Sequence, residues 1–252
     1  MTNHNLTYRF IKPNNSLSSF VENFWMLYNP TKIDNEVIIL PDGNIDLFFS
    51  ESINDSFHTT LLGIGTQAEK TSIKKRRKTF AISFKPFVTE YLFDDNLSSL
   101  LNKAHNLPTD FWGFSSNDLV DFELFCQKAT AKILSLVPNE IDRRKQKLFE
   151  LIYASNGTIS VSELSDKVVW SSRQINRYFN SQFGLSLKVY CNIIRFRASF
   201  NQIKEGKLFP EKNFYDQPHF IREVKKFTGV NPKILNKNQN DRFIQFSTLP
   251  KT

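Results

Sequence analysis

The sequence predicts an α+β chain in which a mixed β-rich, barrel-like half precedes an all-α half. Three observations carry this reading. From Phe20 to Phe87 short apolar runs alternate with turn residues, and from Arg143 onward helical spacing with capping signals continues almost without interruption. The charge divides at the same place: residues 1–140 hold 13 basic and 16 acidic side chains, net −3, whereas residues 141–252 hold 20 and 9, net +11. The 252 residues, 40% of them hydrophobic, suffice for packed cores in two domains. We expect a sensory or dimerisation domain over 1–138 and a polyanion-binding domain over 139–252.

Several function classes find no support. Cys126 and Cys191 lie inside apolar helical patterns, so a disulfide framework is not indicated and a reducing compartment fits. The N-terminal MTNHNLTYRF has no basic segment followed by an apolar one, and no run approaches the roughly 18 apolar residues of a membrane span. A cytoplasmic protein without membrane contact is expected. The four histidines (His4, His58, His105, His219) are scattered, with no H-E-x-x-H, C-x-x-C or G-x-S-x-G pattern. We therefore expect neither catalysis, nor a metal, nor a cofactor.

In the first half, Glu36 to Leu40, the turn Pro41-Asp42-Gly43-Asn44, and Ile45 to Phe49 read as a hairpin. Phe57 to Ile64 and Thr79 to Phe84 read as further strands. The basic run Lys74 to Lys78 between them is expected to be a solvated turn rather than a nucleic-acid patch. Gly63-Ile-Gly65-Thr-Gln-Ala68 fits a dinucleotide fingerprint, but Glu69 to Lys78 has no amphipathic helical period to hold a pyrophosphate. Asp42 and Asp46 are a conceivable carboxylate pair, although a Pro-Asp-Gly turn uses Asp42 for its own backbone. After Pro86 short helices are expected. Leu119, Phe122, Phe125, Ala129 and Ile133 then mark a helix over residues 117–136 that stops at Pro138.

In the second half, Lys147 to Tyr153 is helical and ends at Asn156-Gly157. Ser160-Val-Ser-Glu163 and Ser171-Ser-Arg-Gln174 are capping boxes that open a short helix and, after the Val169-Trp170 turn, a second one ending at Gly184. The second helix buries Ile175, Phe179 and Phe183 and turns Arg173, Asn176, Arg177 and Asn180 outward. Arg and Asn side chains can read guanine and adenine edges bidentately, so this is a helix-turn-helix. Ser186 to Gly206 forms a longer helix with two apolar stripes and a polar stripe at Lys188, Asn192, Arg195, Ser199 and Gln202, able to bridge two lobes. Asp216 caps a last helix through Thr228, with Pro218 tolerated in its first turn, Phe220, Val224 and Phe227 inward, and Gln217, Arg222, Lys225 and Lys226 outward.

Three segments, SSRQINRYFNSQFG (171–184), Arg195 to Ala198, and YDQPHFIREVKKFTGVNP (215–232), resemble the C-terminal DNA-binding domain of the AraC/XylS family of transcriptional regulators over about 90 residues. The resemblance implies two helix-turn-helix units joined by a linker helix and set in successive major grooves of double-stranded DNA. It implies base reading by Arg173, Asn176 and Arg177 in the first unit and by Gln217, Pro218, His219 and Arg222 in the second. Asn180, Lys225 and Lys226 complete the expected DNA-contacting set, and His219 has a second reading as a packing or capping group. Trp25 and the Leu40-Pro41-Asp42-Gly43 segment resemble the β-rich N-terminal domain of a subset of these regulators, which in the wider family binds small effectors or forms homodimers.

Three departures stand out. Val169 occupies a turn position where Gly is usual, so that turn is expected to be built differently. The stretch from Gly206 to Phe214 is about five residues short and contains Pro210, which leaves about one turn of positioning helix near Leu208 and Phe209. Asn213 stands where Gly is usual. The resulting expectation is a sequence-specific, effector-responsive transcriptional regulator of the AraC type, with activation or repression left open. The alternatives are a degenerate helix-turn-helix interaction protein and a small-ligand-binding protein without DNA readout.

Overall fold

A computed structural model describes residues 6–93, 96–209, 214–239 and 242–248. Eight strands come first: β1 (Thr7–Ile11), β2 (Val21–Tyr28), β3 (Asn35–Ile39), β4 (Ile45–Ser52), β5 (Asp55–Leu62), β6 (Glu69–Ile73), β7 (Lys78–Phe84) and β8 (Ala104–Leu107). Six form an antiparallel sheet in the order β1-β2-β7-β4-β5-β8, and β3 pairs with β6 in a second, two-stranded sheet. The expected hairpin over residues 36–49 is therefore overturned. The Pro41–Asn44 turn carries the chain from one sheet to the other, and β4 finds its partners in β5 and β7. Burial on both sides explains this: β4 needs neighbours along both edges, and β3 supplies the opposite layer.

Alternation along the strands sorts the side chains. Leu47, Phe49, Phe80, Ile82 and Phe84 face a helical layer, where the Phe49 ring lies 5.3 Å from that of Phe125. Trp25, Asp46, Phe48 and Ser83 face the β3–β6 pair across a cavity. The helical layer consists of α1 (Thr89–Leu92), 3₁₀ turns at Leu97–Leu100, Phe111–Gly113 and Ser116–Leu119, and α2 (Phe122–Leu136), capped by Asp121. The segment expected to be one helix over 117–136 is thus a 3₁₀ turn followed by a helix. β1, β6 and β8 were not anticipated. No helix follows Gly63-Ile-Gly65; Gly63 is needed because a Cβ there would lie 2.1 Å from the Leu100 carbonyl oxygen.

The elements of the second half are helices: α3 (Arg143–Ala154), α4 (Val161–Val168), α5 (Ser172–Phe183), α6 (Leu187–Ala198), α7 (Phe200–Lys204), α8 (Gln217–Thr228), α9 (Pro232–Lys237) and α10 (Ile244–Thr248). The architecture is an N-terminal β domain followed by an all-α region, as the sequence pattern predicts. The expected long linker helix breaks at Ser199. There the backbone amide and the Oγ both donate to the Phe196 carbonyl, at 2.9 and 2.6 Å, which interrupts the regular pattern. Ser199 is consequently buried rather than part of a solvated stripe, and Arg195 donates to the Gly157 carbonyl at 2.8 Å. A single apolar cluster runs through both halves. Among the described residues no helix is long and apolar enough to cross a membrane.

Candidate nucleic-acid interface

The expected first unit corresponds to α4, a turn and α5, with α3 packed behind. Both capping boxes form. Ser160 accepts from the Glu163 amide at 3.2 Å while Glu163 Oε2 accepts from the Ser160 amide at 3.0 Å. Ser171 and Gln174 do the same at 3.3 and 2.8 Å. Leu148, Phe149 and Ile152 of α3 pack with Leu164, Val168, Ile175, Phe179 and Phe183. Phe149 lies 5.5 Å from Phe179 and 5.9 Å, edge-on, from Phe183.

The turn corrects one expectation. Val169 adopts the left-handed conformation itself, φ 57° and ψ 40°, so the geometry usual for Gly is retained by a strained valine whose side chain is 83% exposed.

Opposite the buried face of α5, Arg173, Arg177 and Asn180 are exposed, and Asn176 is half-buried. The two amides donate to helix carbonyls one turn back, Asn176 to Ser172 at 3.0 Å and Asn180 to Asn176 at 2.8 Å. No carboxylate of the described residues pairs with Arg173 or Arg177. Their donors face outward on one stripe.

In the second unit Asp216 accepts from the His219 amide at 2.7 Å, and Gly229 ends α8 at φ 74°. Phe220, Val224 and Phe227 are buried, and Phe227 stacks on Phe196 of α6 at 5.0 Å. Arg222, Lys225 and Lys226 are exposed, and Pro218 lies in the solvated first turn. Gln217 is half-buried. His219 Nδ1 accepts from the Tyr215 amide at 3.4 Å and its ring meets Phe214 at 5.8 Å. Residues 205–209 hold no helix, and Phe209 is 66% exposed, so no turn of positioning helix forms at Leu208 and Phe209. Pro210 and Asn213 lie outside the described residues.

The two halves are tied at three places that sequence reasoning missed. First, α5 leans on the helical layer of the β domain: Tyr178 donates to Glu90 Oε1 at 2.6 Å, Lys145 pairs with Glu90, and Asn96 donates to the Ser181 carbonyl. Secondly, the Pro41–Asn44 turn seats on α6. Gly43, at φ 82°, sits where a Cβ would lie 2.8 Å from Ile194 Cδ1, and its carbonyl accepts from Tyr190 at 3.2 Å. Arg197 reaches Glu22 of β2 at 2.6 Å. Burial works against the Arg197 charge, but Glu22 and Asp42 outweigh it and hold the guanidinium above its ordinary value.

Thirdly, α10 returns to β3. Ile38 donates to the Arg242 carbonyl at 2.6 Å, and Gln245 both accepts from the Leu40 amide at 3.0 Å and donates to the Leu40 carbonyl at 2.8 Å. The Leu-Pro-Asp-Gly segment was a signal for a turn, and its partners lie more than a hundred residues away, beyond the reach of local pattern.

The basic run between β6 and β7 is a local turn. Lys74 meets Asp34 at 3.1 Å, and Arg77 Nη2 donates to His58 Nε2 at 2.9 Å.

Residues 9–106 match a family described as a domain of unknown function, DUF6597, which spans less than half of the chain. No curated protein matches the sequence. Among solved structures, the chain is similar to apo ToxT, a lysine-to-alanine variant from Vibrio cholerae strain SCE256, at 12% identity over 90% of this chain and 98% of that one, TM-score 0.48. ToxT from Vibrio cholerae in a P21 crystal form is 11% identical, over 92% and 97%, TM-score 0.43. Unsaturated fatty acid-bound wild-type ToxT from strain SCE256 is 12% identical, over 92% and 94%, TM-score 0.41.

Proposed function

We propose that this chain is a sequence-specific, double-stranded-DNA-binding transcriptional regulator of the AraC type, acting without catalysis, whose β domain takes a small effector. The observation that carries it is the outer stripe of α5. Arg173, Arg177 and Asn180 stand exposed on a capped helix that a second helix and a tight turn hold in place. On an ordinary solvated helix such cations are commonly interleaved with acids at i, i+3 or i+4; here α5 contains no acid at all. Bidentate side chains on such a stripe suit base edges in a major groove. On α8, Arg222, Lys225 and Lys226 suit phosphate, with Arg222 also in reach of a base edge, while Gln217 and His219 are held closer to the protein.

The test is selection of bound sequences from a random duplex pool by the full-length protein, followed by affinity measured against salt. Enrichment of a motif with two half-sites about one helical turn apart supports the reading, together with a log-log salt slope set by about 5 to 8 phosphate contacts. Enrichment of no motif, or binding indifferent to salt, would overturn it and favour an interaction protein.

A further inference from the structure

The cavity between the two sheets has a volume of about 280 Å³, at the small end of the roughly 300–1,000 Å³ typical of ligand pockets. Strand register arranges its floor in rows. One row crosses β2, β7 and β4 through Asn23, Ser83 and Asp46; the next crosses through Trp25, Ala81 and Phe48. Ala81 is small enough for Trp25 and Phe48 to meet above it, edge to face at 5.3 Å. Val37, Ile39 and Ile73 of the β3–β6 pair form the roof, and Ile244 and Gln245 of α10 close one side.

Asp46 and Asn23 give this cavity a carboxylate and an amide oxygen as acceptors. Trp25 Nε1 donates to Ser83 Oγ at 3.0 Å, and Ser83 in turn donates to Asp46 Oδ1, so both donors are spent inside the floor. Ser72 Oγ, a hydroxyl able to donate or accept, and Asn23 Oδ1, which can only accept, are buried without any hydrogen-bond partner. Such an orphaned acceptor is costly unless something in the cavity donates to it. Asp42 also lines the cavity, beside Asp46. The cation in the lining, Arg77, is already engaged by His58 Nε2 at 2.9 Å and Asp55 Oδ2 at 3.9 Å.

We infer that this cavity binds a small organic cation, a protonated amine or amidinium on an aromatic or branched apolar body, with its charged end at Asp46 and Asn23 and its body on the Trp25–Phe48 shelf. The inference deepens the effector reading above and rests on it for its regulatory meaning, but not for binding itself. The chemistry is that of a desolvated cation met by a carboxylate, an amide oxygen and an aromatic face, in a cleft whose remaining walls are apolar.

The test uses the full-length protein and three probes of one shape: 2-phenylethylammonium, 2-phenylethanol and 3-phenylpropionate. Binding is followed by calorimetry and by thermal shift. The ammonium probe should bind at least about tenfold more tightly than the other two. Asp46→Asn, nearly isosteric and still able to accept from Ser83, should remove that preference. Asn23→Leu, which keeps the branched shape and removes the amide oxygen, should weaken the ammonium probe alone, and circular dichroism should show both variants folded. Preference for the carboxylate, equal response to all three probes, no response to any, or a preference that survives Asp46→Asn would each overturn the inference. Loss of DNA selection with ammonium binding intact would instead remove the regulatory reading and leave the ligand site standing.

Discussion

Arg197 Nη2, on the helix that follows the first helix-turn-helix, lies 2.6 Å from Glu22 Oε1 on the second strand, joining residues 175 positions apart across the two halves. Burial alone would raise the Glu22 carboxyl, but Arg197 and then Lys12 outweigh it and hold it below its ordinary range. Both side chains are mostly buried, 27% and 19% exposed, so removing one partner strands the other. Glu22→Gln or Arg197→Met alone should cost about 1–3 kcal/mol, and the double variant less than their sum. Chemical denaturation of the four proteins measures the coupling. Additive losses would mean that the pair does not hold the halves together.

Val169 stores backbone strain that glycine would not. A non-glycine residue at φ 57° costs about 1–2 kcal/mol, and the valine side chain, almost fully solvated, recovers little by packing. Val169→Gly should therefore stabilise the protein by about 0.5–1 kcal/mol, part of the gain being offset by the freer unfolded chain. Urea unfolding checks the sign. Destabilisation would mean that Val169 makes a contact stronger than the strain it bears.

These two sites mark the limit of what the sequence makes legible. Capping boxes at Ser160 and Ser171, the Gly184 and Gly229 terminators, and the buried faces of α5 and α8 are written within a few residues, so local pattern finds them. Sheet pairing is not local. β3 looks like the partner of β4 because a turn separates them, yet its ladder is with Glu69–Ile73, a strand whose polar residues hide it on a two-stranded sheet. The cavity is assembled from Asn23, Asp46 and Ser83, which meet only through strand register. The break at Ser199 comes from one hydroxyl turning back onto its own helix, within an apolar periodicity that continues past it.

The cavity carboxylate gives the stability a pH dependence. Burial, and then the nearby Asp42 charge, push Asp46 up to about 7, while its bond from Ser83, the neighbouring Trp25 indole and the Arg197 charge pull the other way. Burial also raises Asp42, against Arg197 and the Asn44 amide. A folded-state value above the unfolded one means that the native state binds the extra proton. That contribution is fully present below the unfolded carboxylate value near 4 and is lost as pH rises through about 7. Unfolding free energy should fall over this window. Asp46→Asn should flatten the slope and be the more stable protein at pH 8. A wild-type curve that rises over the same window would contradict this account.

The last prediction rests on the proposed DNA-binding reading and concerns how its two unlike units would share one site. On α5 the exposed Arg173 and Arg177 are long, bidentate donors with no acid on their own helix to occupy them. On α8 the first turn is committed elsewhere: Gln217 is half-buried and His219 is bonded to the Tyr215 amide and packed on Phe214, which leaves Arg222 beside the point charges of Lys225 and Lys226. Support differs as well. α4 braces α5, whereas α8 rests on Phe196 of α6 and on α9, with no helix over residues 205–209. The first unit should therefore supply most sequence discrimination and the second mainly phosphate contacts. Footprinting should show protection over two successive major grooves, about 20 base pairs. Arg177→Ala should cost about 1–3 kcal/mol at one base pair and relax preference there, whereas Lys225→Ala should weaken all sequences alike and lower the salt slope by about one. Base substitutions under the Arg173–Arg177 half-site should cost several times more than those under the other. Equal sensitivity of the half-sites would sink the asymmetry, and protection of a single groove would point to a second unit that no longer engages DNA.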